Sequence, residues 1–213
     1  PRAVAPSREG PGPVSLQRVW RRFAAGRRTL GPSPGVREAW AQGRRCYHAW
    51  VLVVDDPRVE ARRLEVASAL ERASPGALSP WCAGASHVTV WVAGWDPPGD
   101  HPREGERVPL EVGRASAFSS CPILEVRCPD EVQGAGLRAL RATFPGREER
   151  WAPYHPHLTV GLWRRSEPVA PLVDALRPLR RLPWLRTEGV LRRAHIDARA
   201  EEGLFHVEQS CWR

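Results

Sequence analysis

The stretch SHVTVWVAGW, residues 86–95, carries His87 and Thr89 two apart. YHPHLTVGLW, residues 154–163, repeats the arrangement with His157 and Thr159. Seven histidines in 213 residues make one such triplet uncommon. Chance predicts roughly 0.16 of them, so two, both followed by Val in strand-like runs, are a signal rather than a coincidence. A neutral imidazole can take a proton from an attacking water or hydroxyl, and a protonated one can return a proton to a leaving oxygen. A threonine hydroxyl can donate to a non-bridging phosphoryl oxygen, where charge builds in the transition state. Two such couples facing one site contain an acid, a base and two anion donors, so phosphodiester chemistry there needs no metal and no cofactor.

Side chains alternate faces along a strand. His87 and Thr89 therefore share a face opposite Val88 and Val90, and His157 and Thr159 share one opposite Leu158 and Val160. The apolar set takes the core, which turns each His–Thr couple toward a cleft. Tyr154, just before the second motif, is a candidate for stacking on a base or touching phosphate. Trp95 and Trp163, just after the two motifs, are candidates for lining the same cleft. His155-x-His157 has the spacing of a metal pair, but Pro156 between them and the lack of an obvious third ligand argue against a metal. His48, His101, His195 and His206 read as structural or solvated.

The elements that must position these residues follow from periodicity and caps. Residues 15–26 carry Leu16, Val19, Trp20 and Phe23 at helical spacing, with Ser15 to start the helix and Gly26 to end it. A short helix is expected within 36–45. Strands are expected over 46–56, 87–95, 110–118, 122–128 and 157–163. Asp56 and Pro57 predict a helix to about Ala73, and Asp130 one to about Phe144. A helix near 170–176 precedes a closing hairpin of 186–199 and 204–212. No helix is expected in the Pro/Gly-rich segment 96–109. The order strand–helix–strand–strand occurs twice, with a His-x-Thr strand in each half, which implies α+β architecture with mainly antiparallel sheets.

Two His-x-Thr-x motifs on strands of a duplicated lobe resemble the 2H phosphoesterase superfamily, the 2′,5′ RNA ligase or 2′,3′-cyclic phosphodiesterase family. The resemblance covers roughly residues 46–212. HVTV and YHPHLTV match the two motifs, LEVGRASAFSSCPILEV resembles the central strand pair and LRALRATF the helix after it. It implies a bilobal, duplicated α+β fold in which two mainly antiparallel sheets form a central cleft, with helices on the outside. The implied lobes are roughly 46–115 and 116–213, with strand exchange between them, behind a basic, partly helical extension at 1–45. It implies a metal-independent phosphodiesterase acting on 2′,3′-cyclic phosphate or 2′,5′-linked RNA ends or nucleotides, with reversible ligation as a related activity. By position, His87 and His157 are the catalytic pair, Thr89 and Thr159 bind phosphate, and His157 is favoured as base and His87 as acid.

Composition agrees with an anionic partner. All 32 basic residues are Arg, against 24 acidic ones, for a formal net charge of +8. A positive field favours nucleic acid or phosphate, although the absence of Lys, Asn and Met also fits GC-rich coding. No apolar run has the length of a membrane span, and no leader is visible, so a cytoplasmic monomer is expected. Cys46, Cys82, Cys121, Cys128 and Cys211 show no C-x-x-C pair and read as reduced packing residues. Two other functions use the same features: an RNA-end or nucleotide binding module without turnover, and a basic interaction protein in which residues 1–45 matter most.

Overall fold

A computed structural model describes residues 16–31, 46–79, 86–129, 136–146, 148, 154–197 and 204–207. The helix expected within 36–45, together with Cys82 and Cys211, lies outside them. The first helix, α1, is Leu16–Ala24, and the chain leaves it with the Gly26 N–H donating to the Phe23 carbonyl at 2.8 Å. Strand β1, Cys46–Val53, leads into α2, Pro57–Ala73. Then come β2 (Leu78–Ser79), β3 (His87–Gly94), β4 (Arg107–Ala117) and β5 (Pro122–Arg127). Helix α3 (Gly136–Ala142) precedes β6 (His157–Thr159) and β7 (Leu162–Trp163). Helix α4 (Val169–Leu176) and a 3₁₀ turn (Pro178–Arg181) lead to β8 (Leu185–Asp197) and β9 (Leu204–Val207).

Helix α2 starts where its cap chemistry says it should. Asp56 is extended, and its carboxylate accepts from the Arg58 N–H at 2.9 Å, with Pro57 supplying the first helical φ. The side-chain bond from Arg58 holds the Asp56 carboxyl down at about 2, against an ordinary 3.8. A depressed carboxylate stabilises the fold above its unfolded value and loses that contribution as the pH falls through the folded one. Asp56→Ala should therefore cost about 0.5–2 kcal/mol at neutral pH. Urea melts should show the gap to wild type closing as the pH drops from about 4 toward 2.

All strand pairings are antiparallel, and six strands close on themselves in the order β1-β3-β6-β5-β4-β8, with β8 returning to β1. The mixed helix and antiparallel strand content is as expected, but the two sheets are one barrel-like sheet. The reason is the 13-residue length of β8. It gives one edge to β1 over its second half and divides the other edge between β4 and β9. The boundary expected at 115/116 falls inside β4. The strand expected over 157–163 also divides: His157–Thr159 stays in the main sheet, while Leu162–Trp163 pairs with β2 as a separate two-stranded ladder. Between β3 and β4 the described chain forms turns and no helix, as the Pro/Gly content predicts.

One apolar cluster joins strands and helices. It takes in Leu52, Val88, Val90, Leu124, Leu158 and Val160 from the sheet with Val59, Val66, Leu70, Leu172 and Leu176 from α2 and α4. The strand residues among them are those that alternation assigns to the face opposite the histidines. Cys121 and Cys128 are buried within the packing.

Candidate active site

Strands β3 and β6 are neighbours, with Val88 opposite Leu158. That register places His87 opposite Thr159 and Thr89 opposite His157, related by an approximate two-fold axis through the Val88–Leu158 pair. Directly opposed residues share a face of the sheet, so all four side chains stand together. They are half-buried, whereas Val88, Val90 and Leu158 between and beside them are buried. The two histidines are then diagonal neighbours, with backbones about 7–8 Å apart. Each imidazole can approach within about 3 Å of its own oxygen on a phosphorus bound between them.

The His157 ring is oriented from behind. Its Nδ1 lies 2.6 Å from the His155 carbonyl oxygen. A carbonyl can only accept, so Nδ1 carries the proton and Nε2 is the basic nitrogen of the neutral ring. The Phe118 ring meets His157 edge-on, with centroids 5.0 Å apart. The neighbouring couple is braced by α2. Ser86, just before His87, donates its hydroxyl to Glu60 at 2.8 Å, and Glu60 pairs with Arg63. Arg63 Nη1 donates to the Val160 carbonyl, just after Thr159, at 3.2 Å. One helix pair thus ties the two motif strands together at the level of the His87–Thr159 couple. The Arg63 guanidinium holds the Glu60 carboxyl below its ordinary value, against the effect of burial.

Two residues beside the site were not anticipated. Glu125 of β5 stands opposite His157 and is 1 % exposed. Its Oε1 pairs with Arg180 Nη1 at 3.1 Å, and its Oε2 has no hydrogen-bond partner among the described residues. Burial pushes its carboxyl up, with Arg180 pulling the other way. Arg180 also donates to the Ala115 carbonyl at 3.0 Å and lies 4.4 Å from the centre of the Trp20 ring. Ile123, opposite Thr159, packs with Val19. Helix α1, read as part of a basic extension, therefore flanks the site through Val19 and Trp20. The sequence signal for Glu125 was a lone carboxylate inside PILEVR, which alternation assigns to the histidine face once β5 and β6 are known to pair. Arg180 carried no local signal.

Of the three aromatic candidates, Tyr154 stands half-buried three residues before His157, with the Arg141 guanidinium 3.8 Å from its ring centre, so that one face is already covered. Trp163 does not line the cleft. It is 1 % exposed, stacks on Phe23 at 6.4 Å and donates Nε1–H to the Phe118 carbonyl, which leaves no face for a base. Trp95 lies beyond the end of β3 and packs edge-on against Tyr47 at 5.1 Å. Six extended residues separate it from Thr89, roughly 20 Å, too far for a group bound at the motifs. His155 is buried with its ring against Phe118, and His101 is buried in a stack with Phe144 at 4.1 Å.

No family model and no curated protein matches the chain. Among solved structures, the crystal structure of TT0787 of Thermus thermophilus is similar over 76 % of this chain and 95 % of that one, at 15 % identity and a TM-score of 0.43. A likeness of that size carries nothing about function.

Proposed function

We propose that the protein is a metal-independent phosphodiesterase of the 2H type, acting on 2′,3′-cyclic phosphate or 2′,5′-linked RNA ends or nucleotides. The observation that carries this reading is the register of β3 against β6, which sets two His–Thr couples face to face about the Val88–Leu158 pair. His157, with its Nδ1 proton committed to a carbonyl, offers Nε2 to accept a proton from water. Water oxygen bonds to phosphorus, and the bond from phosphorus to the departing ribose oxygen breaks. His87, protonated, delivers a proton to that oxygen, so the net change is addition of one water across the P–O bond. Thr89 and Thr159 donate to the non-bridging oxygens as their charge grows. The Arg-only basic surface, with a net charge of +8, favours approach of a polyanion. The acid, the base and the anion donors all come from side chains.

The test is a panel of 2′,3′-cyclic nucleotides and 2′,5′-linked dinucleotides with product identification by mass spectrometry. Conversion to a monophosphate, or cleavage of the 2′,5′ linkage, that persists in EDTA supports the reading. Tight binding with no product identifies a nucleotide-binding module using the same cleft. Neither binding nor product defeats both.

The described helices contain none long and apolar enough to cross a membrane.

A further inference from the structure

The chain's basic excess is concentrated in two segments. Residues 16–30 hold five arginines and no carboxylate, and residues 161–169 hold two more against Glu167 alone. That is a surplus of six positive charges. All the other residues together, 25 arginines against 23 carboxylates, have a surplus of two. A coding bias toward Arg adds charge everywhere, so it does not account for this concentration. The two segments are stitched together in space. The Thr29 N–H donates to the Glu167 carbonyl at 2.8 Å, the Val169 N–H to the Arg27 carbonyl at 3.1 Å, and the Arg28 guanidinium to the Ser166 carbonyl at 2.6 Å. Glu167 does not offset the surrounding charge at the surface: it is buried, accepts from the Ser74 hydroxyl at 2.9 Å and pairs with Arg165. Arg21 and Arg22 stand on the solvent face of α1, away from buried Val19 and Phe23. Arg27 and Arg164 are exposed as well, and Arg164 follows Trp163, which stacks on Phe23 of α1. Among the described residues, none of these four guanidiniums has an ion pair or a side-chain hydrogen bond.

This ridge adjoins the candidate active site. The Leu30 N–H donates to the Ser119 carbonyl at 2.6 Å, and Trp163 Nε1–H donates to the carbonyl of Phe118, whose ring meets His157. Val19 of α1 packs with Ile123, the residue opposite Thr159. We propose that the arginines of α1 and of the segment after β7 bind the backbone of single-stranded RNA, holding the nucleotides that precede a terminal phosphate seated between the two His–Thr couples. A guanidinium meets phosphate oxygens with two parallel N–H···O bonds, and each phosphate neutralised releases counterions. Continuity with the His157 side of the site favours a nucleic-acid strand over an anionic membrane. The place of the terminal phosphate rests on the proposed function; the affinity of the ridge for RNA does not.

The untagged full chain is titrated by fluorescence anisotropy against a labelled single-stranded RNA of about 12 nucleotides ending in a 3′-phosphate, over about 0.05–0.3 M salt. The expected result is a linear fall of log affinity with log salt, with a slope of about −3 for four phosphates held. Arg21→Gln combined with Arg164→Gln should weaken binding about 10-fold and flatten the slope by about 1.4. Arg107→Gln combined with Arg138→Gln, which removes two exposed arginines of β4 and α3, should change affinity by less than about 2-fold. Duplex DNA and anionic lipid vesicles at equal phosphate concentration should compete less well than the unlabelled RNA. Binding is read without turnover, so a chain that hydrolyses no cyclic phosphate defeats the proposed function and leaves this result standing. If the Arg21/Arg164 variant does not fold, Arg22→Gln combined with Arg27→Gln is read instead, with the melting temperature as its control. No RNA binding, an equal loss in the Arg107/Arg138 variant, or stronger competition by duplex DNA or by vesicles overturns the proposal.

Discussion

On the proposed mechanism, His87→Ala and His157→Ala should each lower kcat on a 2′,3′-cyclic phosphate by about 10²–10⁴ with little change in KM. The proposed mechanism uses both imidazoles in one reaction step, so the double variant should lose far less than the product of the single losses. Both side chains are half-buried on the face away from the apolar core, so truncation leaves Val88 and Leu158 packed. An unchanged melting temperature is the accompanying control. The same mechanism predicts a bell-shaped dependence of kcat/KM on pH for wild type, with one limb lost in each single variant. Thr89→Val and Thr159→Val would act on the same proposed step through the phosphoryl oxygens and should cost about 10²-fold each. A double histidine variant that still turns over at the wild-type rate would sink the catalytic assignment.

Glu125→Ala lowers folding stability by about 3–5 kcal/mol, because it leaves Arg180 facing the interior without its carboxylate. Replacing both residues by leucine recovers much of that loss, since a buried pair exchanged for apolar side chains is close to neutral. The pH dependence separates this from simple packing. Burial raises the Glu125 carboxyl above its ordinary value despite Arg180. A raised carboxyl binds its proton more tightly in the folded chain, so its contribution is full below the unfolded value and declines as the pH rises through the folded one. Glu125→Gln removes that titration. Its stability relative to wild type should therefore improve as the pH rises from about 4.3, measured by denaturant melts between about pH 4 and 8. A gap that does not vary with pH would show that Glu125 does not titrate in this way.

Much of the local structure was legible because it rests on local chemistry. Asp56 and Pro57 mark the start of α2, and Ala73 ends it as expected. The alternation in HVTV predicts the observed burial of Val88 and Val90 and the half-burial of His87 and Thr89. The candidate aromatic lining was less legible. Sequence proximity to a motif says little about space when a strand advances about 3.3 Å per residue, which carries Trp95 away from Thr89. It also says little when the chain changes sheet, as it does before Trp163.

The amino-acid sequence alone determined that each His shares a face with its Thr, that both faces oppose an apolar one, and that a well-capped helix precedes the first motif strand. These follow from the two-residue period of a strand and from caps a few residues long. Only the tertiary structure decided that the two couples oppose each other, that six strands close into one sheet rather than two, and that Glu125 stands opposite His157 with Arg180 paired to it and Trp20 against Arg180. Those depend on the register between strands some seventy residues apart. A shift of one position would turn every side chain to the other face, and that register is set by the packing of Val88, Leu124 and Leu158 in a common core rather than by any short stretch of chain.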